Sequence, residues 1–355
     1  MPDIRLTDLR KTFPNGTVGL HPTTLVIPDG SYFVLLGPSG SGKTTLLRLI
    51  AGLETPDGGT IHFRDRAVHS LPPHKRGVAF VPQRSALYPD RDVAGNIRAG
   101  LEFEQASRPR SERLPPSETD SRLRQAAESL GIAGLLGNRP HELSSGEQRR
   151  VMLARALVRR ADVWLLDEPL GQLDSALAEK LSQDLHLLQK HFRLTIIQVT
   201  HDPIEALALA DRVGLLGGGR ILQSGTPDEV YTRPGSRTVG LHFGRPPINL
   251  LDGSADGTGF TNGWVRVPYP HRGAVTLGVR PEDVAFSAEN GFIQVGEGEV
   301  TANRRVDGRH LITVAGPHGE IRGFMDRPLE GRVGIWLRAD RVHWFDQQTG
   351  NRIDS

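Results

Sequence analysis

Eight consecutive residues, Gly37-Pro38-Ser39-Gly40-Ser41-Gly42-Lys43-Thr44, have the composition needed to hold a phosphate chain. Glycines let the backbone curl until successive N–H groups point at phosphate oxygens. Lys43 would then reach the terminal phosphates, and the Thr44 hydroxyl could ligate Mg²⁺. A Gly/Ser-rich turn that merely matches the pattern is the alternative. Against it stands the context, because the apolar run YFVLL precedes the loop and the helical pattern TTLLRLIAGL follows it. A helix starting there adds its positive N-terminal end to the site. A second group, Val163-Trp164-Leu165-Leu166-Asp167-Glu168, is an apolar strand ending in two carboxylates. The carboxyl end of a buried strand is where open α/β sheets bind ligands, so Asp167 can hold Mg²⁺ there, through water. Glu168 is then placed to polarise an attacking water, a role that contributes about 10²–10⁴-fold in rate. Taken alone the pair reads as a solvated strand end; taken with the loop it points to hydrolysis of a phosphate anhydride.

The elements that must carry these residues follow from the hydrophobic pattern. Short, nearly continuous apolar runs at 32–36, 78–81, 163–166, 195–199 and 213–216 suit strands buried on both faces of a parallel sheet. Between them, Leu177, Leu181, Leu185, Leu188 and Phe192 recur at steps of three and four, giving a helix one apolar face. Val151, Ala154 and Leu157 or Val158 do the same after the turn Ser144-Ser145-Gly146-Glu147. Residues 104–120, rich in Pro, Ser and Arg, read as a mobile surface loop inside a helical insertion. After about residue 234 the helical signals fade. Runs at 264–267, 274–279, 311–314 and 333–337, separated by Gly, Pro, Asn and Asp, predict an all-β module with the character of a small barrel.

Bulk composition narrows the function classes. A chain of 355 residues exceeds one typical core, so a large and a smaller domain are expected. Lys and Arg total 43 against 41 Asp and Glu, interspersed, which gives no electrostatic case for a nucleic-acid partner. Cysteine is absent, which excludes a disulfide framework and a thiolate metal site. The opening MPDIRLTDLRKTF lacks a signal-peptide apolar run, and no stretch approaches the roughly 18 apolar residues of a membrane span.

Three further features narrow the class: Leu143-Ser144-Ser145-Gly146-Glu147-Gln148, Gln83 in FVPQ, and His201 in VTHD. With the two phosphate-site motifs, in this order, the chain resembles the ATP-binding-cassette family over essentially its whole length, these being its signature, Q-loop and switch histidine. The resemblance implies an α/β fold, a P-loop NTPase cassette at 1–235 with a helical subdomain at about 86–160. A small all-β, OB-like (TOBE-type) domain at 236–355 follows it, serving regulation and dimerisation. It also implies a homodimer packed head to tail, each ATP lying between one chain's phosphate loop and the other's signature. Gly37 to Thr44 together with Thr45, Asp167, Phe13 and the trans segment Ser144, Ser145, Gly146 and Glu147 would form the ATP site. Thr44, Asp167 and Gln83 would serve Mg²⁺; Glu168, His201 and Gln83 would act on the attacking water and the γ-phosphate. Phe13 sits where the family stacks an aromatic on adenine, worth about 1–3 kcal/mol where bases stack on aromatics, and packing of Phe13 into the core is the alternative. Ser144-x-x-Glu147 is also a capping-box pattern, which accounts for those residues without a nucleotide in trans. Two departures stand out. Ser145 replaces the usual Gly, a cost if that position needs positive φ, and Gly171-Gln172-Leu173-Asp174 lacks the first Ser of the usual D-loop.

Within the family, Ala86-Leu87-Tyr88-Pro89, Pro247-Ile248-Asn249, Leu277-Gly278-Val279-Arg280-Pro281-Glu282 and Val342-His343-Trp344-Phe345-Asp346 with Thr349-Gly350 resemble bacterial carbohydrate-uptake ATPases of the maltose and glycerol-3-phosphate importer type. The partners so implied are two integral-membrane permease subunits and, indirectly, an extracytoplasmic solute-binding protein. The implied location is peripheral, on the cytoplasmic face of the bacterial inner membrane. Arg280-Pro281-Glu282 reads equally as a turn with a surface charge pair. Importers of sulfate, ferric iron or polyamines share the layout. A soluble cassette ATPase acting on ribosomes or DNA would commonly show two cassettes or a coiled-coil insertion. A catalytically dead binding module would lack Lys43, Asp167, Glu168 or His201.

Overall fold

The computed structural model describes residues 3–353 apart from 107, 108, 110–112, 160 and 172, and leaves out the side chains of residues 103, 104 and 106. The chain forms two compact units, Met1–Pro227 and Asp228–Ser355.

The first unit begins with β1 (Ile4–Thr12) and β2 (Val18–Ile27), then β3 (Tyr32–Leu36), α1 (Lys43–Ala51), β4 (Gly58–Phe63), β5 (Arg66–Ala67) and β6 (Val78–Val81). Three helices follow, α2 (Val93–Ala106), α3 (Pro116–Ser129) and α4 (Ser145–Leu157). The chain returns through β7 (Val163–Asp167), α5 (Ser175–Phe192), β8 (Thr195–Thr200), α6 (Pro203–Leu209), β9 (Arg212–Gly217) and β10 (Arg220–Gly225). A six-stranded sheet runs β10-β9-β3-β8-β7-β6 and a four-stranded one β2-β1-β4-β5. In the first, β3, β6, β7, β8 and β9 pair in parallel, while β10 closes the edge antiparallel to β9. Every residue of β3, β7 and β8 is buried, which is why their sequences are mostly continuous apolar runs rather than alternating ones, with Gln198 a buried polar exception in β8.

The four-stranded antiparallel sheet has no counterpart in the sequence reading. β1 and β2 bury only alternate stretches, with register shifts after Leu6 and Leu9, and β2 contains Pro22. Its inner residues Ile4, Leu6, Leu9, Leu20, Leu25 and Ile27 pack with α1 and with the parallel sheet in one core. The loop expected at 104–120 is shorter than predicted. α2 continues to Ala106 and α3 begins at Pro116, because proline at the first helical turn starts a helix rather than breaking one. Much of the remaining connection, 107, 108 and 110–112, lies outside the described residues, as does Gln172 of the D-loop segment. α4 is enclosed more fully than one apolar face implies, since Val151, Met152, Leu153, Ala154, Ala156 and Leu157 are all buried.

The second unit opens with α7 (Pro227–Thr232) and α8 (Arg237–His242) and is otherwise antiparallel. One sheet has the order β13-β12-β11-β14-β20, the other β15-β19-β16-β17-β18. Their strands are β11 (Asn249–Asp256), β12 (Gly259–Thr261), β13 (Arg266–Pro268), β14 (Arg272–Val279), β15 (Val284–Ala285), β16 (Ile293–Val306), β17 (Arg309–Gly316), β18 (Gly319–Met325), β19 (Arg332–Leu337) and β20 (His343–Asp346). Leu251, Phe260, Leu277, Ile312, Ile335 and Trp344 meet between the two sheets in one apolar interior, the nearly closed barrel-like arrangement of an OB-like domain. Arg280 corrects the surface-pair reading. It is 2% exposed, stacks 3.9 Å above the Tyr231 ring, and donates to the carbonyls of Gly240, Phe243 and Tyr231. Asn249 likewise ties Val279 to β18, through the Arg322 backbone. No helix among the described residues is long and apolar enough to cross a membrane.

Candidate active site

Strand order brings the sequence motifs together. β3, β8, β7 and β6 lie side by side and run in parallel, with Leu36 level with Thr200, Val199 with Asp167, and Leu166 with Val81. Strands about 4.8 Å apart therefore deliver at one sheet edge the loop after Leu36, the carboxylates at the end of β7, His201 after β8 and Gln83 after β6.

The loop is shaped by glycines that nothing else could replace. A Cβ on Gly37 would lie 2.3 Å from the Leu216 carbonyl oxygen, and one on Gly42 2.3 Å from that of Gly19; Gly42 also has φ of +102°. The chain thus turns directly into α1, with Lys43 as its first residue. Lys43 is buried and its ammonium donates to the carbonyls of Gly37 (2.7 Å) and Pro38 (2.9 Å). Burial pushes its pKa down, while the nearby carboxylates of Glu168 and Asp167 act in the opposite direction. Thr44 donates to the Asp167 carboxylate at 3.3 Å. Asp167 is itself buried, which raises its pKa, an effect that the Thr44 hydrogen bond opposes. Ser41 is buried with its hydroxyl unpartnered, and its backbone carbonyl accepts from Gly219.

Glu168 sits at φ of +45°, a left-handed conformation that a non-glycine residue adopts at a cost of roughly 1–2 kcal/mol. It is held there by its N–H to the Val199 carbonyl (3.1 Å) and by the Gly171 N–H on its own carbonyl (3.2 Å). Its carboxylate accepts from the Gln83 amide at 2.7 Å and lies 3.4 Å from His201 Nδ1. The acid, the amide and the imidazole predicted as a set therefore converge. Strained backbone of this kind accumulates where function demands a fixed side chain.

The Ser144–Glu147 segment stands apart from that cluster in the same chain. Ser144 caps α4, its hydroxyl accepting from the Glu147 N–H at 3.3 Å, while the Glu147 carboxylate accepts from the Ser144 N–H at 2.8 Å. That backbone hydrogen bond is the main reason the Glu147 pKa is lowered. The capping box is therefore formed. Ser145 is an ordinary exposed residue of the first helical turn, outside the positive-φ positions, so the feared backbone penalty of a Cβ does not arise. Gly146 is the tighter position, because a Cβ there would lie 2.3 Å from Leu177 Cδ2 of α5, the end of a partly buried side chain that must turn aside. Asp174 of the D-loop segment caps α5, accepting from the Leu177 N–H at 3.0 Å. Phe13 follows β1 directly and is partly exposed rather than a core residue, its ring edge close to Gly19.

One contact was not legible in the sequence. The buried guanidinium of Arg149 forks onto the carbonyls of Pro82 (2.9 Å) and Gln83 (2.7 Å), tying α4 to the segment that presents Gln83. Arg150 beside it pairs instead with Asp184 at 2.6 Å and donates to the Leu130 carbonyl, and only the folded register shows these partners.

Comparison with known proteins agrees with this geometry. The ABC transporter family profile matches residues 20–171. The sn-glycerol-3-phosphate import ATP-binding protein UgpC of Jannaschia sp. (strain CCS1) is 37% identical, over 99% of this chain and 100% of that protein. The protein of the same name from Salmonella typhi is 38% identical over 99% and 100%. Among solved structures, the ATP-binding cassette MJ0796, described as a dimer in a post-hydrolysis state with ADP and Pi, superposes with a TM-score of 0.57 at 27% identity, covering 63% of this chain and 98% of that one. With full-length relatives at this identity, the chain belongs to the ABC transporter family, and within it to the ATP-binding subunits that drive import.

Proposed function

We propose that this chain hydrolyses ATP as a homodimer to power uptake of sn-glycerol-3-phosphate or a related sugar-type solute through two permease subunits. The binding of a sugar phosphate is read from the names of the relatives. The observation that carries the mechanism is the meeting of Gln83, Glu168 and His201 beside the Thr44–Asp167 pair.

The residues fit the expected ligands. The glycine-shaped turn into α1 leaves no room for side chains on Gly37 and Gly42, as a phosphate cradle requires. Thr44 and Asp167, with the side-chain amide oxygen of Gln83, are the hard oxygen donors that suit Mg²⁺, which when bound would offset phosphate charge. Lys43, desolvated and close to both carboxylates, is a localised positive charge for the terminal phosphates. Glu168 accepts the proton of the attacking water and His201 holds the γ-phosphate, while Gln83 orients that water and keeps Glu168 in line. Phe13 stacks on the adenine. Ser144, Ser145, Gly146 and Glu147 of the second protomer close the site from the opposite side, and the MJ0796 dimer supports that arrangement.

Residues 1–235 then form the cassette, with 86–160 as its helical subdomain, and 236–355 the regulatory and dimerising domain. A cleft of ≈ 360 Å³ lined by Phe80, Ala86, Tyr88, Met152 and Arg155 lies close to Gln83 and is suited to a cytoplasmic helix of the permease. The protein works peripherally, at the cytoplasmic face of the inner membrane, and an extracytoplasmic binding protein delivers the solute. The test is Glu168→Gln in the purified chain: it should bind ATP, form a stable closed dimer and lose about 10²–10⁴-fold in phosphate release. Turnover at the wild-type rate would remove Glu168 from its role.

A further inference from the structure

His201 is well exposed, with its side chain 61% accessible, so nothing packed around the ring fixes its distance to Glu168. The backbone on either side of it is fixed instead. The Thr200 hydroxyl accepts from the Asp202 N–H at 3.0 Å, bridging directly across His201. Asp202 in turn caps α6, accepting from the Ile204 N–H at 2.9 Å. Thr200 is 2% exposed, and its hydroxyl is near enough to the Glu205 carboxylate, one turn into α6, to favour the charged form. Glu205 accepts from the Gln198 side-chain amide at 3.0 Å, and the Gln198 carbonyl oxygen accepts from the Tyr32 hydroxyl at 2.6 Å. Tyr32 and Gln198 are wholly buried, on neighbouring strands β3 and β8. One chain of contacts thus ties the centre of the parallel sheet to α6, and a second fixes the two residues flanking the imidazole.

We infer that Glu205 is the positioning residue for His201, anchoring α6 through Gln198 to the sheet interior and so fixing the short loop between β8 and α6 that presents the imidazole to the reaction. Glu205 feels the charges of His201 and Glu168, but its carboxylate accepts its hydrogen bond from Gln198, and it is a positioning group rather than a catalytic one. Its burial raises its pKa, opposed by the Thr200 hydroxyl, as expected of a carboxyl committed to an internal network. Buried polar networks of this kind rigidify when every member is satisfied. A shift of 1 Å in a group acting on the transition state can cost about 10²-fold, so a network remote from the phosphate can govern rate.

This inference rests on the role of His201 proposed above, and the experiment separates the two. Phosphate release at varied Mg-ATP is measured on the purified full chain for His201→Ala, Glu205→Ala, Glu205→Gln, Thr200→Val and Tyr32→Phe, with thermal melting alongside. Glu205→Ala and Thr200→Val should each lower kcat at least about 10-fold with KM within about twofold, the signature of misplacement rather than lost binding. Glu205→Gln, whose amide oxygen still accepts from Gln198, should retain kcat within about threefold. Tyr32→Phe removes only the far end of the network; it should lower the melting temperature and leave kcat within about twofold. Should Tyr32→Phe lose as much kcat as Glu205→Ala, or Thr200→Val and Glu205→Ala turn over normally, the positioning role is overturned. If His201→Ala itself hydrolyses ATP normally, the reading of the site fails, and the role given to Glu205 fails with it.

Discussion

Ser145 and Gly146 are adjacent at the start of α4 and answer to different constraints. Ser145 is exposed in ordinary helical geometry, whereas a Cβ on Gly146 would drive into Leu177. Ser145→Gly should therefore leave phosphate release unchanged and cost less than about 1 kcal/mol of stability, the usual penalty of glycine in a helix. Gly146→Ala should cost about 1 kcal/mol, the low end of overpacking, because the partly buried Leu177 tip can turn aside. Urea unfolding of both, and of Gly146→Ala combined with Leu177→Ala, checks the argument, since the second substitution should recover part of the loss. The family comparison draws attention to Ser145 because it is the unusual residue. Packing shifts that attention one position along.

At the scale of elements, β3, β6, β7, β8 and β9 were legible to within a residue or so, because strands buried on both faces are mostly apolar along their length and admit a polar residue such as Gln198 only where it is paired. β1 and β2 were not, since half-buried, bulged strands dilute the alternation on which such a reading depends. The site followed the same division. Lys43, Asp167 and Glu168 could be named from local motifs beside β3 and β7, whereas His201 and Gln83 were named from the resemblance to the family. The Arg149 fork and the Tyr32–Gln198–Glu205 chain depend on register between segments far apart in sequence, which no local pattern encodes. β20 supplies a prediction of its own. His343 is 7% exposed, and burial, with Arg352 and Arg280 nearby, lowers its pKa from 6.5 to about 4. In the unfolded chain this imidazole gains its proton near pH 6.5, but in the folded one only near pH 4. The unfolded state therefore binds more protons across that window, and stability, complete above pH 6.5, falls on acidification by on the order of 3 kcal/mol. Unfolding followed by tryptophan fluorescence should show that loss for residues 228–355, and His343→Gln should flatten it.

For the molecule as a whole, the proposal divides one reaction between two copies of the chain, Lys43 coming from one and Ser144 from the other. A chain defective at Lys43 mixed equally with one defective at Ser144 should recover closure at one site under ATP, as seen by crosslinking across the dimer. Recovery in neither site, together with hydrolysis by the lone wild-type monomer, would contradict the shared seam. The left-handed seat of Glu168 carries a further consequence for the whole chain. Holding that residue draws on folding free energy that the fold could otherwise keep. Glu168→Asn, whose side chain is at ease in such a backbone, should unfold at higher temperature than the natural protein, by about 1 kcal/mol, while losing turnover. A more durable but idle variant would mean that this subunit gives up some robustness in exchange for its work.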